Sequence, residues 1–242
     1  MKYPLVIFDF DGTLANSLPC FLGIMRQLSD QNGFRKVEDH EVEQLRAFDV
    51  RQLMKFLEIP FWKLPGITRQ FRQMMADQTD QVSLFPGIQQ FLEQLTAADV
   101  KLAIVSSNAK DNVQKILGPD LVALFSWMEC EASIFGKRPK LRKVLRKSGL
   151  TSAQAIYIGD EIRDLQAAHA ERLAFGAVTW GHTLREFFLP HGPQEVFETV
   201  ELMSETLLSK EACSLKPAST TLEMDPSPDK PNRPDDAEST EL

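Results

Sequence analysis

Three short apolar runs in this chain stop abruptly at polar residues: Leu5 to Phe8 before Asp9, Leu102 to Val105 before Ser106, and Ile156 to Ile158 before Gly159 and Asp160. Unbroken apolar stretches of this length with β-branched content suit strands buried on both faces of a parallel sheet. The intervening segments agree. Helices predicted over Val113–Leu117, Leu141–Lys147 and Leu165–Arg172 alternate with LAIVSSN, a strand near Phe125–Met128, AIYIGD and FGAVTW. Such alternation means βαβ units with right-handed crossovers, an α/β chain with helices on both faces of the sheet. Ligands of open α/β sheets bind at the C-terminal strand edge, so the polar ends of these runs are the candidate site.

Between the first run and about residue 100 the pattern is helical, and no strand-like stretch is predicted there. Phe21–Leu28, Val42–Leu57 and Ile67–Met75 carry apolar residues at helical spacing, separated by loop signals at Gln31-Asn32-Gly33, Pro60 and Pro65-Gly66. Pro86-Gly87 opens a further helix over Ile88–Leu95. The expected organisation is therefore a core built from residues 1–15 and 84–204, with a helical insertion at 16–83. Residues 205–242 are rich in Pro, Ser and Asp, with almost no large apolar side chain beyond Leu208. They cannot bury enough surface to offset the entropy of ordering, so a disordered acidic tail is expected, open to a partner that composition does not identify.

The tail also explains most of the net charge of −7: it holds nine acids against four bases, leaving 25 acids and 23 bases in residues 1–204. A nearly neutral body argues against nucleic acid, whose backbone calls for a broad basic surface. The local basic cluster at 137–147 reads mostly as the solvated face of a helix. No run approaches the roughly eighteen apolar residues of a membrane span, and the first residues fail as a signal peptide, so a cytoplasmic enzyme acting away from membranes is expected. Cys20, Cys130 and Cys213 have neither CxxC spacing nor even number and read as buried or idle thiols.

Asp9 and Asp11, one residue apart at a strand end, repel each other unless something holds them. A divalent cation is the usual remedy, since Mg²⁺ takes oxygen ligands and often one or two carboxylates with a substrate phosphate. Gly12 then suits a turn that a side chain would strain. Asn108 and Asp111 can each cap the helix that follows LAIVSSN. The histidines His40, His169, His182 and His191 show no ligand spacing such as HxxxH, and none is assigned to catalysis.

The run Asp9–Ser17, DFDGTLANS, resembles the first motif of the haloacid dehalogenase superfamily, in its phosphohydrolase branch with a helical cap. The later motifs follow in order, and Val178–His182, VTWGH, is similar to a stretch of phosphoglycolate-phosphatase-like members. The resemblance implies a Rossmann-like parallel sheet with an inserted α-helical cap, and an Mg²⁺-dependent phosphatase working through an aspartyl-phosphate. Asp9 would attack phosphorus, while Asp11 would protonate the leaving oxygen and then activate water. Ser106, with Ser107 beside it, would bind the phosphoryl group. Lys137 would offset the negative charge, with Lys140 as its rival, because Arg138 separates Lys137 from Pro139 where the family often has Lys-Pro. Asp160 would complete the metal shell with the Asp9 carboxylate and the Asp11 backbone carbonyl. Asp164 would support a metal-bound water or Lys137, and Glu161 reads equally as a helix-start carboxylate. Glu171-Arg172 replaces the family's common Ala-Gly, which puts that turn, though not the chemistry, in question.

A cap over the crevice implies a small phosphorylated metabolite as substrate. Arg46 has two readings, a grip on the substrate's far end or a helical partner of Glu43. Asn16 and Phe48 are candidates for shaping the opening. Phosphomutase activity through the same intermediate, and a non-catalytic binding module on a relic fold, are the competing functions. Dehalogenation is disfavoured because dehalogenases of this superfamily generally lack the second Asp, present here as Asp11.

Overall fold

The structure, a computed structural model, describes residues 2–209 except 47, 49 and 132–135, with only the backbone of residue 50. Eight strands are present among these residues: β1 (Leu5–Phe8), β2 (Ala15–Asn16), β3 (Ser83–Leu84), β4 (Lys101–Val105), β5 (Phe125–Glu129), β6 (Ala155–Gly159), β7 (Ala174–Val178) and β8 (Glu195–Phe197). Six of them form one parallel sheet in the order β5-β4-β1-β6-β7-β8. From β1 the chain builds outward to β5 and then crosses back to β6. The reversal sits beside β1, where α/β sheets open their ligand crevice.

Side-chain alternation along the central strands shows why the runs are apolar without a break. In β1, Leu5 and Ile7 join one apolar cluster while Val6 and Phe8 join the other. Helices cover both faces: α5 (Ile88–Ala97), α6 (Lys110–Val122) and α10 (Val200–Leu208) on the Val6 side, and α7 (Arg138–Ser148), α8 (Ile162–Ala170) and the short α9 (Arg185–Phe188) on the Leu5 side. A fully buried side chain of this size is worth about 1.5–3 kcal/mol relative to exposure, so neither face tolerates a polar replacement in β1. α6 breaks at Gly118 (φ 73°, ψ 165°), just ahead of Pro119, which cannot continue an ordinary helix.

Among the described residues four α-helices lie between β2 and β3: α1 (Leu18–Asn32), α2 (Val42–Leu45), α3 (Val50–Phe56) and α4 (Leu64–Asp77). The continuous periodic segment expected over 42–57 is thus two helices. The expectation of no strand before residue 100 is also corrected. β2 and β3 pair antiparallel, Ala15 with Leu84 and Asn16 with Ser83, and bring the two ends of the helical block together. Two residues are too short a span for alternation to register in the sequence. At the other end, α10 runs through Leu208, so the first residues of the expected tail at 205 are helical. The rest of that expectation, residues 210–242, lies outside the described residues.

Candidate active site

Register brings the polar strand ends together. Phe8 pairs with Ile104 on one side and Ile158 on the other, so the residues after β1, β4 and β6 emerge side by side. Asp9 leaves β1 with its N–H on the Ile158 carbonyl at 2.8 Å. Its carboxylate Oδ2 lies 2.7 Å from Lys137 Nζ, which also lies 2.7 Å from Asp164 Oδ1. All three side chains are buried. Burial raises the Asp9 carboxyl well above the ordinary range, and the charges of Asp164 and Asp160 push the same way against Lys137.

Asp11 occupies a different environment two residues on. Asn108 Nδ2 donates to both of its oxygens, at 3.0 and 3.3 Å, and the Ser17 hydroxyl bonds it as well. Burial nevertheless lifts this carboxyl above its usual value, the direction a proton donor needs. Ser17 precedes α1 without capping it, and the residue before α6 is Ala109, also without a side-chain cap, so the capping role expected of Asn108 or Asp111 is not made. Asn108 instead faces Asp11, with its Oδ1 accepting from Ala109 N–H at 2.8 Å and Asn112 Nδ2 at 3.0 Å. Its own N–H donates to Ser106 Oγ at 3.0 Å, which leaves the fully buried Ser106 hydroxyl its hydrogen to offer.

Asp160 is held from three directions. Thr13 Oγ1 donates to Oδ1 at 3.1 Å, His182 N–H donates to Oδ2 at 2.8 Å, and His182 Nδ1 lies 2.6 Å from the same oxygen. The Asp160 charge holds the His182 ring well up, at a pKa of about 9, against the burial that would lower it. Gly12, at φ +73°, is required here: a Cβ would sit 2.0 Å from Asp160 Oδ2. Asp164 receives the Tyr157 hydroxyl at 3.3 Å on Oδ1, while its buried Oδ2 has no hydrogen-bond partner among the described residues.

Asp9, Asp160 and Asp164 each offer an oxygen within 4.8 Å of the others. Three buried carboxylates, an unpartnered carboxylate oxygen and an all-oxygen donor set match what a hard divalent cation such as Mg²⁺ accepts. The residues fit that group.

The profile of the haloacid dehalogenase-like hydrolases matches residues 6–178. The chain belongs to this family. It is 31% identical to the phosphoglycolate phosphatase of Synechococcus elongatus over 195 residues, covering 80% of this chain and 92% of that protein. It is 28% identical to the Xanthomonas campestris phosphoglycolate phosphatase, covering 76% and 87%. Among solved structures, a haloacid dehalogenase-like hydrolase from Streptococcus pneumoniae superposes with a TM-score of 0.73 at 19% identity, covering 85% of this chain and 99% of that one. At that identity the likeness speaks for the shared fold.

Within this haloacid dehalogenase-like frame, the structure brings Asp9, Asp11, Ser106, Lys137, Asp160 and Asp164 to one sheet edge. Ser107 lies half-buried in the same loop as Ser106. Lys137, not Lys140, reaches Asp9; Lys140 Nζ lies 3.9 Å from Glu129. The basic helix is a mostly exposed face, as expected, with Lys143 and Lys147 each 2.8 Å from Glu129. Glu161 precedes α8 without capping it and pairs with Arg163 at 2.5 Å. Arg46 turns to the backbone rather than to Glu43: its Nε donates to the Gly181 carbonyl and its Nη2 to that of Thr179, both at 3.0 Å. Phe48 stacks edge-on with Phe56 at 5.5 Å, and Asn16 lies in β2. Cys20 and Cys130 are free and buried, with burial pushing the Cys130 thiol to about 11, and Cys213 lies outside the described residues.

Thr13, Asn108, Tyr157 and His182 are site residues that sequence reasoning passed over. The one available signal was the end of VTWGH, where His182 stands, but its partner Asp160 is 22 residues away and shares no local motif with it. The Glu171-Arg172 turn is answered as well: Arg172 takes φ +56°, the left-handed conformation in which a glycine is at ease.

Proposed function

We propose that this chain is a phosphatase of small phosphomonoesters, with phosphoglycolate-like acid phosphates as the first substrates to test. The observation that carries the reading is the separation of two nearby carboxylates into two environments: Asp9 against Lys137 beside the acidic cluster, and Asp11 against the Asn108 amide and the Ser17 hydroxyl. Pairs of acids divided in this way take different roles in catalysis.

In the first step an Asp9 oxygen attacks phosphorus and the bond to the ester oxygen breaks. That oxygen takes the proton held by Asp11. In the second step Asp11 accepts a proton from water, the water oxygen attacks the aspartyl-phosphate, and phosphate leaves with Asp9 restored. Lys137 and the Ser106 hydroxyl offer positive charge and a donor to the phosphoryl oxygens. A divalent cation held by Asp9 and Asp160 would supply the charge that keeps Asp9 ionised beside a phosphate dianion. The names of the relatives support the substrate class, and the helical block between β2 and β3 suits small molecules.

Hydrolysis of an aryl phosphate with and without Mg²⁺, beside an Asp9→Asn variant, tests the chemistry. Activity that needs Mg²⁺ and falls on the order of 10³-fold in the variant is expected. Equal rates in the two proteins contradict Asp9 as nucleophile. A panel of phosphorylated metabolites, with products identified, then ranks the substrates and separates hydrolysis from transfer within a sugar phosphate.

A further inference from the structure

The segment 179–183 connects the helical block to the acidic cluster. On the cluster side it touches Asp160 repeatedly: His182 holds Oδ2 through its N–H at 2.8 Å and lies against it through Nδ1 at 2.6 Å, and Thr183 N–H donates to the Asp160 carbonyl at 3.1 Å. Trp180 Nε1 donates to the Thr13 carbonyl at 3.1 Å, and Thr13 is the residue that bonds Asp160 Oδ1. There is no slack at the centre. A Cβ on Gly181 would stand 2.3 Å from the Gly12 carbonyl oxygen and 2.4 Å from Asp160 Cβ, so this backbone cannot move inward without moving Gly12 or Asp160.

On the other side the same segment is gripped by the helical block. Arg46, immediately after α2, spans the carbonyls of Thr179 and Gly181 with Nε and Nη2, each at 3.0 Å. The planar fork of a guanidinium suits two acceptors two residues apart, which a lysine ammonium would meet as a point charge. Phe21 of α1 adds an edge contact to the His182 ring, with centroids 6.3 Å apart.

We propose that Arg46 is a positioning residue that holds the 179–183 segment against Asp160, so that the helical block sets how tightly the acidic cluster binds a divalent cation. The link runs from the guanidinium through two carbonyls to the His182 and Thr183 contacts on Asp160. The cation half of this inference rests on the function proposed above. Its mechanical half stands on the hydrogen bonds alone.

Calorimetric titration with Mg²⁺ alone, on the wild type and on Arg46→Ala and Arg46→Lys, tests it together with amide hydrogen exchange across 179–183. Arg46→Ala is expected to weaken Mg²⁺ binding about tenfold, the low end of what removing a ligand's outer support does, and to speed exchange in the segment. Arg46→Lys, which keeps one donor, should fall between and carries the test if the alanine variant does not fold. At saturating Mg²⁺ the KM for an aryl phosphate should stay within about twofold of wild type. Unchanged exchange and Mg²⁺ affinity with a raised KM overturn the proposal and return Arg46 to the substrate. A wild type that binds no Mg²⁺ contradicts the phosphatase reading and the cation half with it, while faster exchange in Arg46→Ala would still uphold the mechanical half.

Discussion

Asp9 and Asp11 show how position alone divides two identical side chains. Burial raises both carboxyls, but Asp11 is met by the Asn108 amide and the Ser17 hydroxyl, whereas Asp9 sits 2.7 Å from a buried lysine. Replacing Asp11 with Asn keeps the shape of the aspartate but removes the ionisable proton, so kcat is expected to fall by about 10²–10⁴-fold with KM little changed, read from steady-state kinetics. A change confined to KM would contradict the acid–base role. Gly12 is the second residue whose identity is dictated. In Gly12→Ala the methyl meets Asp160 Oδ2 at 2.0 Å and the backbone stays at φ +73°, so both the cluster and the turn are strained. Urea melts are expected to show a loss of about 1–3 kcal/mol, alongside loss of Mg²⁺-dependent activity. Wild-type-like stability with full activity would show that the turn can relax without cost.

The meeting of α7 and α8 is an element-scale feature that joins two departures from the family pattern. Arg138, which interrupts Lys-Pro, and Glu171, which replaces the usual Ala, lie 2.5 Å apart, and Arg142 also reaches Glu171 at 2.8 Å. The pair ties the start of α7, where Lys137 stands, to the end of α8, whose first turn carries Asp164. Hydrogen bonding from Arg142, then Arg138, holds the Glu171 carboxyl below its usual value. A depressed carboxyl stabilises the fold above the unfolded glutamate pKa, and that contribution is lost as pH falls through the folded value. Glu171→Gln is therefore expected to lower Tm by about 1–3 °C at neutral pH, since exposed ion pairs are individually weak. The difference should shrink as the pH drops below about 4, measured by thermal melts across pH. A gap that persists at low pH would assign the effect to packing rather than charge.

For the molecule as a whole, the sheet and its catalytic edge were legible because their signals are local: apolar runs of strand length, each ending in Asp, Ser or Gly-Asp. The alternation with helices then placed those ends on neighbouring strands. What stayed hidden depended on contacts remote in sequence. Thr13 meets Asp160 across 147 positions and Asn108 meets Asp11 across 97, and nothing near either residue announces its partner. The ribbon of β2 and β3 was hidden by its length, and the break between α2 and α3 by a periodicity that continues across it. Arg46 was read as a substrate grip or a partner of Glu43, and its bonds to two carbonyls 133 and 135 positions away had no local signal. Asp9 is the assigned nucleophile, so the most direct measurement is a crystal structure of the protein grown with Mg²⁺ and beryllium fluoride, a mimic of a phosphorylated carboxylate. The account predicts beryllium bonded to an Asp9 oxygen, with Mg²⁺ between Asp9 and Asp160. Beryllium fluoride on any other carboxylate, or Mg²⁺ bound away from these two residues, would contradict it.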